Sequence, residues 1–251
     1  QSAGGKSGRR TGQAFVTVRS AVARALPRDG GRIARQRFKV RAMRRSSHPK
    51  SGLIVSDGRC LIPDGELKLA TDVDLGVQSG ELFDALITDT QWQERTIRLW
   101  GKSYLQPRLT AWYGDAGCGY SYSGICLEPL PWTDLLLSLK DRVEALAGHA
   151  FNSVLLNYYR NERDSMGMHS DDEPELGPAP VIASLSLGQE RTLLLRHKTR
   201  ADLGTLKLPL PNQSLLIMAG ATQRHWKHGI AKVSRSCGPR LNLTFRQIQG
   251  V

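Results

Sequence analysis

His169-Ser170-Asp171, with His228 lying 57 positions beyond Asp171, offers two imidazoles and one carboxylate that a single ion could collect. Such a set suits a facial Fe(II) site, which keeps the remaining coordination positions open for a co-substrate and O2. Zinc fits less well, because it favours a closed tetrahedral shell or a hydrolytic water with a base beside it. Further on, Arg240-Leu241-Asn242-Leu243-Thr244-Phe245-Arg246 alternates polar and apolar residues. In an extended strand Arg240, Asn242, Thr244 and Arg246 share one face. Guanidinium groups grip carboxylates as planar forks, and Asn and Thr add neutral hydrogen bonds, so that face can hold a dicarboxylate next to the metal. Taken together, the residues predict a dioxygenase using Fe(II), 2-oxoglutarate and O2. Each piece alone has a plainer reading: a single His-x-Asp is ordinary hydrogen bonding, and two arginines on a strand are a solvated face.

The elements that must position these residues show in the hydrophobic period. Leu82, Phe83, Leu86 and Ile87 have helical spacing within 79–92, after the start signal Ser79-Gly80-Glu81. A second helix is expected over 132–147, where Leu135, Leu139, Val143 and Leu146 form an apolar stripe opposite Asp141, Arg142 and Glu144. Beyond it the period becomes two. Residues 151–159, 181–187, 192–196, 205–208, 214–218, 225–230 and 240–247 read as strands separated by Gly, Pro, Asn and Asp. Helices followed by many short strands predict one α+β unit whose strands close as a two-sheet jelly roll.

The charge of +12 on 251 residues is unevenly spread. Residues 1–50 hold 14 Lys or Arg against Asp29 alone, net +13, whereas residues 51–251 hold 21 basic and 22 acidic residues, net −1. This first segment is rich in Gly, Arg and Ser with few apolar clusters, so it is expected to be a disordered tail ahead of a domain over 51–251. It reads as a phosphate-binding arm, as an organelle-targeting segment, or, since the sequence opens on Gln1 and Met43 is a candidate start, as partly extraneous over 1–42. Cys60, Cys118, Cys126 and Cys237 form no C-x-x-C pair, as expected of a reduced intracellular chain, cytoplasmic in a bacterium and nuclear or organellar in a eukaryote. No apolar run approaches the roughly 20 residues that span a bilayer.

Five segments in order resemble the AlkB family of nucleic-acid dealkylases: Asn157-Tyr158-Tyr159, His169-Ser170-Asp171-Asp172-Glu173, Ala183-Ser184-Leu185-Ser186-Leu187-Gly188, His228-Gly229, and Pro239-Arg240 through Phe245-Arg246. The similarity runs over about 97–248, more weakly back to about 51, and is nearest the branch with Tyr113-Gly114-Asp115-Ala116-Gly117 upstream. This resemblance implies a double-stranded β-helix with iron at one open end, buttressed on one sheet by the N-terminal helices. It implies metal ligands His169, Asp171 and His228, and 2-oxoglutarate held by Arg240 and Arg246, with Asn157, Tyr159 and Asn242 completing the cradle. Tyr159 reads equally as a core tyrosine.

A nucleotide-recognition lid is expected at about 97–126. The resemblance implies that Trp112 or Tyr122, with Tyr122 favoured, sandwiches the damaged base against His169, and that Tyr120 touches phosphate or base. Trp100 is either an apolar wedge entering a base stack or a buried tryptophan. Asp172 and Glu173 either read the exocyclic amino group of the base or cap a turn before Pro174 and orient the metal ligands. The implied activity is oxidative demethylation of 1-methyladenine and 3-methylcytosine in DNA by a monomer. RNA demethylation, oxygenation of another substrate, and an inactive nucleic-acid-binding jelly roll are the alternatives.

Overall fold

The computed structural model describes residues 54–249 apart from 57–58, 100–101 and 123–124, with side chains described within 62–96, 102–119 and 128–249. The 1–50 tail, Trp100 and the side chains of Tyr120 and Tyr122 fall outside the described residues. In chain order the elements are β1 (Ile54–Ser56), β2 (Arg59–Ile62), β3 (Gly65–Ala70), α1 (Ser79–Asp89), β4 (Gln93–Leu99), β5 (Lys102–Gly114), β6 (Tyr120–Tyr122), β7 (Ile125–Leu127) and α2 (Asp134–Ala147). They continue with β8 (Ser153–Tyr159), β9 (Met166–His169), β10 (Ile182–Gly188), β11 (Arg191–His197), β12 (Thr205–Leu210), β13 (Ser214–Ala219), α3 (Thr222–His225), β14 (Trp226–Ile230) and β15 (Arg240–Arg246).

Nine strands make a major sheet in the order β1-β2-β3-β13-β10-β15-β8-β5-β4, and four make a minor sheet in the order β12-β11-β14-β9. The two sheets form the expected jelly roll. Alternation assigns the faces. Leu241, Leu243 and Phe245 of β15 join Leu185 and Leu187 of β10 in a core that also takes Leu82 and Leu86 of α1 and Leu136, Leu139 and Val143 of α2. Both helices therefore buttress the outer face of the major sheet. A second core of Leu193, Leu195, Leu206, Leu208, Leu216, Met218 and Trp226 fills the space between the sheets. Each fully buried Leu stabilises by about 1.5–3 kcal/mol, so the two cores together hold the polar inner face of β15 in place.

The order of elements differs from the expectation of helices followed by strands. Seven strands lie upstream of α2, and α1 falls between β3 and β4. β4 is an edge strand, with Gln93, Glu94 and Thr96 exposed, so it carries little of the apolar signal that marks a strand. β5 runs for 13 residues inside the expected lid region and pairs with β8 from Leu109 to Gly114. Half of that region is thus a strand of the major sheet, and only the small β6-β7 hairpin stands apart from both sheets.

α2 is closed at both ends. Thr133 accepts a hydrogen bond from Leu136 N at 3.2 Å, and Gly148 at φ 67° donates its N–H to Glu144 O. Only glycine adopts that left-handed conformation without strain. Thr133→Ala is expected to lower stability by about 1 kcal/mol, measured as a shift in urea midpoint at constant m-value. An unchanged midpoint would mean that the cap contributes nothing.

Candidate metal and co-substrate site

The inner face of β15 is polar along its length. Pairing sets Arg240 opposite Tyr159, Asn242 opposite Asn157, and Arg246 opposite Ser153 on β8, while Ser186 of β10 faces Asn242 from the other side. All are buried. In the minor sheet, β14 pairs with β9 so that His228 stands opposite His169, and Asp171 follows directly beyond β9. The ligand atoms of His169, Asp171 and His228 all lie within 4.8 Å of one another. They line one cavity with Asn157, Tyr159, Arg240, Asn242 and Arg246, so all eight residues expected for metal and co-substrate are brought together.

Each ligand is oriented by the chain. His169 Nδ1 lies 3.0 Å from Gly167 O; a carbonyl only accepts, so Nδ1 carries the proton and Nε2 presents its lone pair. Nε2 is 3.5 Å from Asp171 Oδ1. Arg246 donates to Asp171 Oδ2 from Nη2 at 2.9 Å and Nε at 3.2 Å, and Asp171 N donates to Gln223 Oε1 at 3.0 Å. Burial would raise the Asp171 carboxyl, but Arg246 and the two imidazoles outweigh it and hold it well below the ordinary carboxylate range. Burial, with His169 adding to it, pushes His228 down to about 3, which keeps it in the neutral form that binds metals.

Arg240 has an unusual environment. It is 1% exposed and donates Nη2 to Ser186 Oγ at 2.9 Å, while its buried Nε and Nη1 have no partner among the described residues. The Tyr159 ring lies against it at 5.2 Å and meets Arg191 at 5.8 Å. A buried guanidinium with open donors is costly unless an anion joins it. A carboxylate of 2-oxoglutarate matches that vacancy in charge and shape.

Several participants escaped sequence reading. Arg108, 4% exposed on β5, donates Nε to Asn157 Oδ1 at 2.7 Å. Because guanidinium only donates, it fixes the Asn157 amide with its NH2 left for the cavity. Asn242 turns inward on the sheet, giving both amide hydrogens to Ser184 Oγ and Leu185 O and accepting from Thr244 Oγ1. Gln223 and Arg191 carry no motif, although the alternating serines of Ala183–Gly188 were a readable sign of a polar inner face.

The expected substrate residues divide. Trp112 is 3% exposed and packed in the core between the sheets, which removes it as an exposed base platform. Its position in β5 places it on the inner face rather than in a loop. Asp172 is exposed and takes Lys198 Nζ on Oδ2 at 2.8 Å. Glu173 precedes the short 3-10 turn Pro174–Leu176 and makes no side-chain cap to it, while its carbonyl accepts from Leu176 N. The turn-capping reading of these two side chains is therefore set aside. Cys118 and Cys237 are free thiols.

A jelly roll whose interior joins two histidines and a carboxylate to an anion-seeking arginine defines the Fe(II)- and 2-oxoglutarate-dependent oxygenases, and the profile of the 2OG-Fe(II) oxygenase superfamily matches residues 77–246. Within that superfamily the chain belongs to the AlkB family. It is 46% identical over 179 residues to the alpha-ketoglutarate-dependent dioxygenase alkB homolog 3 of Bos taurus, an alignment covering 68% of this chain and 62% of that protein. It is 40% identical over 180 residues to the DNA oxidative demethylase ALKBH2 of Homo sapiens, covering 68% of this chain and 69% of that protein. The chain thus spans about three fifths of the length of the alkB homolog 3 proteins. In fold it is similar to the solved structure of OsALKBH1, with a TM-score of 0.50 at 20% identity, covering 74% of this chain and 99% of that one. Fe(II), 2-oxoglutarate and O2 are the cofactor and co-substrates of this class.

Gly229 sits between the two histidine strands, and a Cβ there would come within 2.8 Å of Met166 O and 2.9 Å of Gly167 O. Both obstacles are backbone. Gly229→Ala is expected to spread β9 from β14 and weaken Fe(II) binding by about 10- to 100-fold, read by anaerobic calorimetric titration; parental affinity would show that β9 has room to move. A second expectation concerns acid. Unfolded His228 takes up a proton below 6.5, but the buried imidazole does so only near 3, so between these values the unfolded state binds more protons. Stability of the metal-free protein should fall as pH drops through that window, by at most about 1.4 kcal/mol per pH unit from this group. Asp171, depressed when folded, adds a loss in the same direction at lower pH. Urea titrations at several pH values should show a shallower dependence for His228→Asn than for the parent, and identical slopes would contradict this account.

Proposed function

We propose that this chain demethylates N-alkylated nucleobases, 1-methyladenine and 3-methylcytosine in DNA, in the repair of alkylation damage inside the cell. Its metal ligands are His169, Asp171 and His228, and Arg240, Arg246, Asn157 and Tyr159 hold 2-oxoglutarate with Asn242 bracing them. The observation that carries the reading is the Arg240 guanidinium, buried with Nε and Nη1 unpartnered in the same cavity as the three ligands. That pairing of features has no use in a binding-only jelly roll, where the open donors would be a standing cost. The similarity to a protein called DNA oxidative demethylase supports DNA as the substrate of this reading.

Bound iron with 2-oxoglutarate and O2 supplies oxidation of the N-methyl group; the hydroxylated product loses formaldehyde without a side-chain base. The chain's part is orientation and exclusion of water. Arg246 and Gln223 hold Asp171 ionised and aimed, and Gly167 O sets the His169 tautomer. Leu193, Leu210, Leu216, Met218 and Ile230 line the cavity and keep it apolar away from the ligands. Tyr122 stacks the extruded base against His169, with Tyr120 beside it. Trp100, between β4 and β5, fills the gap left in a duplex. Asp172 and Glu173 read the exocyclic amino group, Lys198 steadying Asp172. The domain over 51–251 acts as a monomer, and the 1–50 segment adds sequence-independent attraction to phosphates.

The test supplies Fe(II), 2-oxoglutarate and O2 to the full chain with methylated DNA and RNA oligonucleotides, and follows formaldehyde and product mass. Release from DNA is expected to exceed that from RNA; the reverse would reassign the substrate. His169→Ala, Asp171→Ala and His228→Ala should each abolish release while thermal unfolding stays cooperative. Undiminished release in any two of them would sink the metal assignment.

A further inference from the structure

The outer face of the minor sheet carries a charge pattern that the metal chemistry does not use. The major sheet is covered by α1 and α2, but Thr192, Arg196, Thr205, Lys207 and Lys227, all outward on β11, β12 and β14, are exposed. No Asp or Glu occurs in β9, β11, β12 or β14. Arg196 stands directly opposite Lys227, and Lys207 is its diagonal neighbour, since Arg196 pairs with Thr205. Directly opposed residues lie about 4.5–5.5 Å apart at Cβ and diagonal ones about 7–8 Å, and like charges so placed repel. None of the three makes an ion pair among the described residues, whereas nearby Lys198 and Arg200 are each held by an aspartate. Residues 51–251 sum to about −1, so this face reflects segregation of charge rather than general basicity.

We propose that Arg196, Lys207 and Lys227 form a docking face for the phosphates of the nucleic-acid strand that flanks the target base. The proposal rests on the demethylase reading above. Position favours it: the Arg196–Lys227 rung adjoins the Leu195–His228 rung, so the cations lie one residue along the strands from a metal ligand and on the opposite face. Phosphates recur every 3.4 Å or so along one strand, so three cations within this spacing engage two or three of them. Polyanion binding also relieves the repulsion within the cluster.

The experiment compares the full chain with its R196Q/K207Q/K227Q variant for affinity to a long methylated single-stranded DNA across a salt series, and for turnover of that DNA and of a methylated trinucleotide. The slope of log K against log salt should decrease by about 2, at roughly 0.7 per single-strand phosphate. KM should rise for the long substrate alone, with the thermal midpoint unchanged. An unaltered slope, or an equal loss on the trinucleotide, overturns the docking face. So does displacement of the DNA by polyglutamate with the same difference between parent and variant, which would assign the face to an acidic protein. If the triple variant fails to fold, K207Q alone decides the matter through a slope loss of about 0.7. Failure of the parent to demethylate the trinucleotide would sink the demethylase reading separately, since the salt slope is measured by binding alone.

Discussion

Burying a row of charged and polar side chains between two sheets is the constraint on which this molecule depends. Arg240, Asn242, Thr244 and Arg246 stand on one face of β15, all buried, where desolvation of an ion costs several kcal/mol even after relaxation. The opposite face compensates: Leu241, Leu243 and Phe245 are fully buried against the helices. Within the row the accounts are closed locally for Asn242, by Ser184 and Thr244, and for Arg246, by Asp171. Arg240 is left open. A buried guanidinium whose Nε and Nη1 have no hydrogen-bond partner among the described residues is the physical form that a preference for an anionic co-substrate would take.

The same pairing scheme builds the metal triad. His169 and Asp171 come from the end of β9, and His228 reaches them only because β14 lies beside β9 with Gly229 at the point of closest approach. Arg246 belongs to the major sheet yet grips Asp171, so the two sheets are tied together at the site by one buried ion pair. Removing either partner would leave a buried charge alone, which is far costlier than losing an exposed pair. With His169, Asp171 and His228 as the proposed ligands and Arg240 and Arg246 as the proposed anchors, metal binding, co-substrate binding and closure of the jelly roll would be coupled through the same few groups.

Charge has two scales in this chain. A strongly basic first segment accounts for the net charge, while the domain is close to neutral. Within residues 51–251, opposite-sign pairs such as Arg160–Asp164 and Lys198–Asp172 occur, and the strands of the minor sheet carry no acid. A near-zero sum thus conceals a basic face on the strands that carry His169 and His228, and the proposed docking of phosphates rests on the position of charge rather than on its total.

By itself the sequence determined the chemistry and the class of fold. The period of two in 240–247 gave the polar face, the His-x-Asp with a distant His gave the triad, and the stripes at 79–92 and 132–147 gave the helices, close to their observed limits. These signals are local, because side-chain direction follows directly from backbone period. What sequence could not supply is partnership across distance. None of β1 to β7, nor β9, was among the expected strands; β4, for one, is an exposed edge that carries no apolar alternation. Trp112 was one of two candidates for stacking on the base, and its burial depends on β8 and the minor sheet. Arg108, Arg191 and Gln223 announce nothing by spacing, since their roles exist only once Asn157, Tyr159 and Asp171 have been carried to them. Strand order and register decided those meetings, because hydrogen-bond pairing in a sheet joins residues without regard to their separation along the chain.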